Sequence, residues 1–182
     1  MPDFNVPKKE EVSEKNQLIF NKIEKGMGFV PNIYAFFTKS ENALESYVEF
    51  SNRKTTFSKK EKEVINLVVS EYNGCNYCLS AHSLIARLNG FTTEEILKVR
   101  QGKVPLNNKL NALAKFTLEI LKNRGKITNE QRAMFLDAGY DEAHLVDVAM
   151  TIGEKTISNL IYNMVKFDID FPEAPNLVEK VV

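Results

Sequence analysis

The chain has 182 residues, 43% of them hydrophobic and 26% charged, which is typical of a soluble globular protein with one core and is short for two domains. Lys and Arg together number 24, as do Asp and Glu, so the basic excess of proteins that bind nucleic acid or anionic membranes is missing. No apolar run approaches the roughly 20 residues that span a bilayer, and residues 1–12 lack the apolar core of a signal peptide. These features predict a cytoplasmic protein.

Helix signals follow one another along the chain, whereas strand signals are almost absent. Three short helices are predicted in the N-terminal third, at 13–25, 32–38 and 41–52. Capping boxes then predict helix starts at Ser58, Thr92 and Thr128, where a hydroxyl can accept from an early backbone N–H while the third residue reaches back. A glycine is expected to end each of three helices by adopting a left-handed conformation, at Gly90, Gly125 and Gly139.

The longer helices are indicated by apolar residues at helical spacing. Segment 61–72 is apolar on most sides, which predicts a buried central helix. Segments 107–123 and 142–165 each carry one apolar stripe, which is typical of a helix that packs through one face. In segment 142–165 the stripe consists of Val146, Ala149, Gly153, Ile157, Leu160, Ile161 and Met164. Residues 168–182 are predicted to form an extended arm that wraps the domain or a neighbouring subunit. The whole chain, 1–182, is thus predicted to be a single all-α domain.

Both cysteines of the chain, Cys75 and Cys78, lie between two predicted helices. Disulfides that stabilise secreted proteins are more numerous and close longer loops. This pair therefore indicates a chemical role rather than a stabilising one. The Asn73-Gly74 turn places the pair at or near the start of the next helix, where the helix dipole lowers a thiol pKa and favours the nucleophilic thiolate. The first turn also brings the two thiols close enough for a disulfide. His82 follows Cys78 by one helical turn and can take its proton.

Two other interpretations of this segment stay open. The first is half a zinc site, in which Cys75, Cys78 and His82 supply three ligands, while His144 or a carboxylate would have to supply the fourth. The second is a pair of inert cysteines packed in a helical core. That second interpretation leaves unexplained why both cysteines and one of the two histidines share a helix start.

Glu63 stands twelve residues before Cys75, and this glutamate, the CxxC pair and His82 together resemble the motif of the carboxymuconolactone decarboxylase family. The closest resemblance is to its AhpD-like alkylhydroperoxidase branch. The motif-bearing core covers about residues 58–90, and segment 28–32 resembles the start of the peroxidase-related members. The resemblance implies an AhpD-like helical domain, a helical oligomer, and an alkylhydroperoxidase-like antioxidant enzyme with peroxiredoxin-type thiol chemistry. Decarboxylase members lack the CxxC pair, which argues against lactone decarboxylation.

The same resemblance implies a role for each site residue. Cys78 would attack the hydroperoxide and pass through a sulfenic acid to a disulfide with Cys75, the resolving and more exposed thiol. His82 would relay the proton of Cys78, and Glu63 would orient this relay through water. No cofactor is implied beyond the redox-active Cys75–Cys78 disulfide and an external dithiol, such as lipoamide or a thioredoxin-like protein, that reduces it. The expected partners are a hydroperoxide, this dithiol and further copies of the chain in a trimer or hexamer, without nucleic acid or a membrane.

The identity of the carboxylate and the role of the residue between the cysteines depend on the resemblance. Spacing alone favours Glu71, four residues before Cys75, and either Glu61 or Glu63 can serve only to compensate the helix dipole. Some family members have a histidine where this chain has Tyr77, whose phenol can donate a hydrogen bond but is not a base at neutral pH. A relay through that extra histidine is therefore in doubt here.

Two functional alternatives to the peroxide reductase also stay open. A dithiol-disulfide oxidoreductase would use the same residues on protein or small-molecule thiols without consuming peroxide. A non-catalytic helical oligomer would bind a ligand or partner and tolerate the loss of both cysteines. On the last helix, Asn159 and Tyr162 are interpreted as core residues, and His144 as a surface or capping residue.

Overall fold

A computed structural model describes residues 4–177, and all regular structure within this range is helical. This confirms the all-α prediction, and the predicted segments agree with the observed helices to within two residues at each end. None of the helices in the described range has the length and apolar character needed to cross a membrane. After a 3₁₀ turn at Lys9–Glu11, the helices are α1 Glu14–Met27, α2 Asn32–Phe37, α3 Ala43–Ser51, α4 Lys59–Tyr72, α5 Asn76–Leu88, α6 Thr93–Arg100, α7 Asn108–Lys122, α8 Asn129–Asp137 and α9 Glu142–Val165.

Local sequence accounts for where these helices begin and end. All three predicted capping boxes form, because the hydroxyls of Ser58, Thr92 and Thr128 accept from the backbone N–H three residues later while that residue's side chain reaches back. The three glycines predicted as helix ends all have positive φ, as expected: Gly90, Gly125 and Gly139.

The contacts divide the chain into two compact units. Among the described residues, the first comprises those up to Lys54 together with Ile161–Asp170, and it contains α1, α2, α3 and the last turn of α9. The second comprises Thr55–Leu160 and the described residues from Phe171 to residue 177, and it contains α4 to α8 and most of α9. All the predicted site residues lie in the second unit. The single domain over 1–182 stays a prediction.

Helix α4 is the centre of the second unit, as its composition predicts. It contacts α5, α6 and α7, and its apolar residues Val64, Ile65, Leu67, Val68 and Val69 are all buried. One side of this buried helix is nevertheless polar, because Glu63, Asn66 and Ser70 are buried as well. Their spacing of three and four residues places them on one face of the helix.

Helix α9 has its polar side inside and much of its apolar side outside, so the predicted packing stripe is wrong. Of that stripe, Val146, Ile157, Leu160 and Met164 expose between 40% and 71% of their surface. The buried residues of the helix are largely polar: Thr151, Glu154, Lys155, Ser158 and Asn159. The physical reason is that this polar side forms part of the surroundings of the two cysteines, where hydrogen bonds and charge replace apolar contacts.

The described part of the predicted C-terminal arm has no helix beyond residue 165. In the second unit, this segment packs on α5. The ring of Phe171 meets the edge of Tyr77 at 5.5 Å between centroids, and the backbone N–H of Ala174 donates to Ser80 Oγ at 3.1 Å. The segment therefore covers the helix that carries the cysteines. Residues 178–182 of the predicted arm lie outside the described residues.

Candidate active site

The two cysteines lie at the start of α5, where the sequence places them. Cys75 is the N-cap residue, and its Sγ accepts a hydrogen bond from the backbone N–H of Cys78 at 3.3 Å. Both are free thiols, with Cys75 0% and Cys78 3% exposed. Both thiols are thus buried in the single chain, and the greater exposure expected of Cys75 stays a prediction. Its sulfur caps the first turn of the helix, and this role directs the side chain inward.

Cys78 faces helix α9. Its Sγ lies 3.9 Å from Ser158 Oγ and donates to it, and Ser158 Oγ in turn donates to the carbonyl of Lys155 at 2.9 Å. The fully buried Asn159 is also fixed by hydrogen bonds on both sides of its amide. Its Nδ2 donates to Ser70 Oγ at 3.4 Å, and its Oδ1 accepts from Asn73 Nδ2 at 2.9 Å. One turn of α9 thus meets both the thiol and the polar side of α4.

The surroundings separate the acidities of the two thiols. A hydrogen bond with Cys75 is the largest cause that lowers the pKa of Cys78, to about 6. Burial opposes this shift, whereas the positive charges of Lys155 and His82 and a hydrogen bond with Asn159 support it. The pKa of Cys75 is raised far above its usual range by the hydrogen bond with Cys78, by burial and by the negative charge of Cys78. Of the two thiols, Cys78 is therefore the one that ionises first.

Glu63 and His82 form a buried pair between α4 and α5. His82 Nδ1 lies 2.8 Å from Glu63 Oε2, while Glu63 Oε1 accepts from Asn66 Nδ2 at 3.1 Å. Because an ionised carboxylate only accepts hydrogen bonds, it holds a proton on Nδ1 and leaves Nε2 of the neutral ring as an acceptor. The contact is direct, which corrects the expectation of a water between the two side chains. Glu63 thus fixes the orientation and the tautomer of the His82 ring.

The other carboxylates are engaged elsewhere. Glu71, which spacing alone favours, accepts from Arg100 Nε at 2.6 Å. Glu61 accepts from the backbone and hydroxyl of Ser58 as the third residue of a capping box. Glu61 therefore compensates the helix dipole at the start of α4. Glu63 is the carboxylate that contacts His82. Between the cysteines, Tyr77 is buried against Phe171.

The zinc interpretation requires its four ligands to lie close together around one point. His144, the suggested fourth ligand, lies at the start of α9 with its Nδ1 2.6 Å from Asp141 Oδ1. Within residues 4–177, no three His, Cys, Asp or Glu side chains are grouped as metal ligands.

Sequence reasoning missed Lys155 and Ser158 and interpreted Asn159 as a packing residue. All three lie on the buried side of α9 and either contact Cys78 or act on its acidity. The available signal is that Thr151, Lys155, Ser158 and Asn159 recur at helical spacing. A polar stripe of this kind is usually solvent-exposed. The apolar stripe on the other side of α9 also favoured a helix that packs through its apolar side and exposes its polar side.

The acidity of Cys78 predicts a measurable titration. We expect the ultraviolet absorbance of the thiolate to rise with a midpoint near pH 6, so that about nine-tenths of Cys78 is ionised at pH 7. The low-pH transition is expected to disappear in the Cys78→Ser protein, and unfolding the wild-type chain in denaturant is expected to move the midpoint toward the ordinary value. A midpoint of about 8.5 in the folded protein would contradict the assignment.

Comparisons with known proteins give a family and a fold. Residues 38–119 match the Carboxymuconolactone decarboxylase family, a range that includes Glu63, both cysteines and His82. The chain is similar to the alkylhydroperoxidase AhpD core of an uncharacterized peroxidase-related protein from Ralstonia eutropha JMP134, with a TM-score of 0.83, 18% identity and 92% of each chain covered. It is also similar to an uncharacterized peroxidase-related protein from Silicibacter sp. TM1040, with a TM-score of 0.80, 20% identity and coverage of 91% of this chain and 89% of that one.

A third similar structure carries a different described activity. It is a cysteine-to-alanine variant of the debrominase Bmp8 in complex with 2,3,4-tribromopyrrole, with a TM-score of 0.70, 17% identity and 86% of each chain covered. At these identities the likenesses show a shared fold, and they confirm the AhpD-like fold prediction. No curated protein matches the chain.

Proposed function

We propose that this chain, whose residues 38–119 match the carboxymuconolactone decarboxylase family and which has an AhpD-like fold, is a thiol-dependent hydroperoxide reductase. The observation that carries the proposal is the pair of thiols at the start of α5. One of them, Cys78, has a pKa lowered to about 6, and the other, Cys75, is hydrogen-bonded to it and stays protonated. A reactive thiolate beside a protonated thiol is the arrangement that oxidation followed by disulfide closure requires.

The first step forms a sulfenic acid on Cys78. Its thiolate attacks the terminal oxygen of the hydroperoxide, a sulfur–oxygen bond forms and the oxygen–oxygen bond breaks. The electron pair of the broken bond leaves with the alkoxide, which becomes an alcohol by taking the proton that Cys78 gave up. His82 carries this proton on Nε2, because Glu63 holds its Nδ1 in the donor role.

The second step closes the disulfide. The sulfur of Cys75 attacks the sulfur of oxidised Cys78, a sulfur–sulfur bond forms, and the hydroxyl group leaves with the proton of Cys75 as water. An external dithiol, such as lipoamide or a thioredoxin-like protein, then returns two electrons and two protons by exchange. The products of this exchange are an oxidised dithiol and the reduced Cys75 and Cys78 pair, so the protein is regenerated.

We also propose that the active form is a homo-oligomer, a trimer or hexamer. The apolar residues that α9 turns outward support this proposal, because Val146, Ile157 and Leu160 are each at least 40% exposed on the same helix. Clusters of exposed apolar side chains commonly mark a protein–protein contact. The opposite side of this helix faces Cys78, so a second copy bound here would lie one helix away from the site.

The test is hydroperoxide consumption by the purified protein in the presence of excess dithiol. We expect organic hydroperoxide to be lost in a one-to-one ratio with dithiol oxidised, over many turnovers per chain. The matched control is a protein with both Cys75→Ala and Cys78→Ala, in which consumption is expected to fall to the rate of the dithiol alone. Far-ultraviolet circular dichroism of both proteins checks that the helices remain.

Other outcomes would identify the alternatives. If no hydroperoxide is consumed while the disulfide still cycles with the dithiol, the protein is a dithiol-disulfide oxidoreductase. If the cysteine pair never cycles, the remaining function is that of a non-catalytic ligand-binding helical oligomer.

A further inference from the structure

The buried side of α9 carries a lysine, a residue whose charged side chain is normally exposed to water. Lys155 is 6% exposed, and burying an ammonium group is unfavourable unless nearby groups compensate for its lost hydration. Its own turn of α9 lies against the thiol, because Ser158 Oγ accepts from Cys78 Sγ across 3.9 Å and donates to the carbonyl of Lys155. A negative charge on Cys78 therefore develops beside the turn of α9 that carries this buried lysine.

We propose that Lys155 is a positioning residue of the redox site, whose ammonium stabilises the thiolate of Cys78 and with it the reduced form of the Cys75–Cys78 pair. The catalytic meaning of this role rests on the proposed function. The charge interaction itself does not, because it exists in the resting protein whatever substrate oxidises the thiols.

The other charged and titratable groups near Cys78 act from different directions. Cys75 and His82 belong to α5 and its cap, and Glu63 of α4 contacts His82 Nδ1 at 2.8 Å. When the His82 ring is protonated, its positive charge is thus shared between Cys78 and a carboxylate. On α9 itself, Glu154 is buried next to Lys155 in the chain. The positive charge of Lys155 lowers the pKa of Cys78, and this effect is larger than that of His82.

The interaction also affects the redox balance of the pair. When a dithiol reductant supplies two electrons to the Cys75–Cys78 disulfide, the sulfur–sulfur bond breaks, Cys75 takes one proton and Cys78 remains a thiolate near neutral pH. A cation beside Cys78 stabilises only this product, because the disulfide carries no charge. Stabilising the thiolate favours reduction, as in strongly oxidising dithiol proteins. Lys155 therefore makes the disulfide easier for the external dithiol to reduce.

The experiment compares Lys155→Met, which removes the charge and keeps an unbranched side chain, with Lys155→Arg, which keeps the charge. In Lys155→Met we expect the thiolate absorbance midpoint to rise by about one unit, which lowers the ionised fraction at acidic pH by about tenfold. At about pH 8, above both midpoints, the equilibrium constant for reduction by a dithiol buffer is expected to fall by a similar factor. Lys155→Arg is expected to restore both values toward those of the wild type. The control is Lys122→Met on α7, where the lysine lies near Glu119, and neither value is expected to change.

An unchanged midpoint in folded Lys155→Met would overturn the proposal, as would a midpoint that rises equally in Lys155→Arg. Lys155→Gln is the second neutral variant in case the first one does not fold, and it has the same expected result. The outcome is independent of peroxide chemistry. If the wild type consumes no hydroperoxide but the midpoint still rises in Lys155→Met, the proposed function fails and the role of Lys155 stands.

Discussion

Replacing Cys78 with serine is expected to abolish hydroperoxide turnover, whereas replacing Cys75 with serine is expected to permit one round and then stop it. A serine hydroxyl is not ionised at neutral pH and is a far weaker nucleophile than a thiolate, so the rate of the Cys78→Ser protein should fall by about 10³-fold or more. The Cys75→Ser protein keeps the attacking thiolate but lacks the second sulfur, and its sulfenic acid cannot close to a disulfide.

The structure makes Cys75→Ser a conservative change. Cys75 caps α5 by accepting from the backbone N–H of Cys78, and serine is among the residues preferred at this position. Its hydroxyl can also donate to the thiolate. We therefore expect the start of the helix and the acidity of Cys78 to be retained, and thermal unfolding near that of the wild type is the control.

Intact mass spectrometry without any reductant distinguishes the two steps. After one equivalent of hydroperoxide, the wild-type chain is expected to lose two hydrogens as the disulfide forms. The Cys75→Ser chain is expected to gain one oxygen, which a dicarbonyl reagent specific for sulfenic acids should trap, and the Cys78→Ser chain should stay unchanged. An oxygen found on the Cys78→Ser chain would reverse the two roles, and full turnover by that variant would rule out the mechanism.

The elements that the sequence predicted well depend on neighbouring residues. The capping boxes at Ser58, Thr92 and Thr128 involve residues only three positions apart, so their spacing contains the whole interaction. The position of Cys75 and Cys78 at the start of α5 follows in the same way from the end of α4 at Tyr72 and the turn after it. In these cases the determining contacts are already adjacent in the chain.

Helix α9 shows why the rest could not be predicted. Its apolar residues and its polar residues both recur at the helical period, so the pattern establishes two faces but not which one is buried. The usual rule buries the apolar face, and here Lys155 and Asn159 are buried while Leu160 is exposed. The buried side contacts residues that are distant in the chain, since Cys78 lies 80 residues from Ser158 and Ser70 lies 89 residues from Asn159. Interactions of that separation leave no local signal of which face is buried.

The contact between Glu63 and His82 is an intermediate case. Nineteen residues separate the two side chains, and spacing alone favoured Glu71, which instead pairs with Arg100. The family resemblance indicated Glu63 because the family motif includes residues that the fold brings together, although the motif does not show the contact between them. The physical reason appears only when α4 and α5 pack together. Glu63 then shares a buried polar face with Asn66, and His82 completes its hydrogen bonds.

Replacing Glu63 with glutamine is expected to lower kcat/KM for the hydroperoxide by about 10²-fold, the lower end of what general acid–base catalysis contributes. The glutamine carbonyl can still accept from Asn66 Nδ2, but its amide NH₂ then faces Nδ1 of His82. Because an NH₂ group only donates, Nδ1 must become the acceptor and the ring proton moves to Nε2. A neutral His82 in that tautomer cannot take the proton of Cys78.

Glu61→Gln is the matched control for this substitution. Glu61 lies on the same helix, two residues earlier, and completes the capping box with Ser58, a role that glutamine also fills. We expect Glu61→Gln to leave kcat/KM unchanged. Equal losses in Glu61→Gln and Glu63→Gln would mean that α4 is simply perturbed, and would contradict a specific role for Glu63.

A double-variant cycle tests whether Glu63 acts through His82. In His82→Asn, the asparagine NH₂ can replace the Nδ1 donor to Glu63, so the buried carboxylate keeps a partner while the group that carries the proton is lost. We expect this variant to lose about 10²-fold in kcat/KM and the combined Glu63→Gln and His82→Asn protein to lose little more. The two losses overlap because both remove the same proton transfer. Losses that multiply in the double variant would instead show that Glu63 acts on the thiols independently of His82.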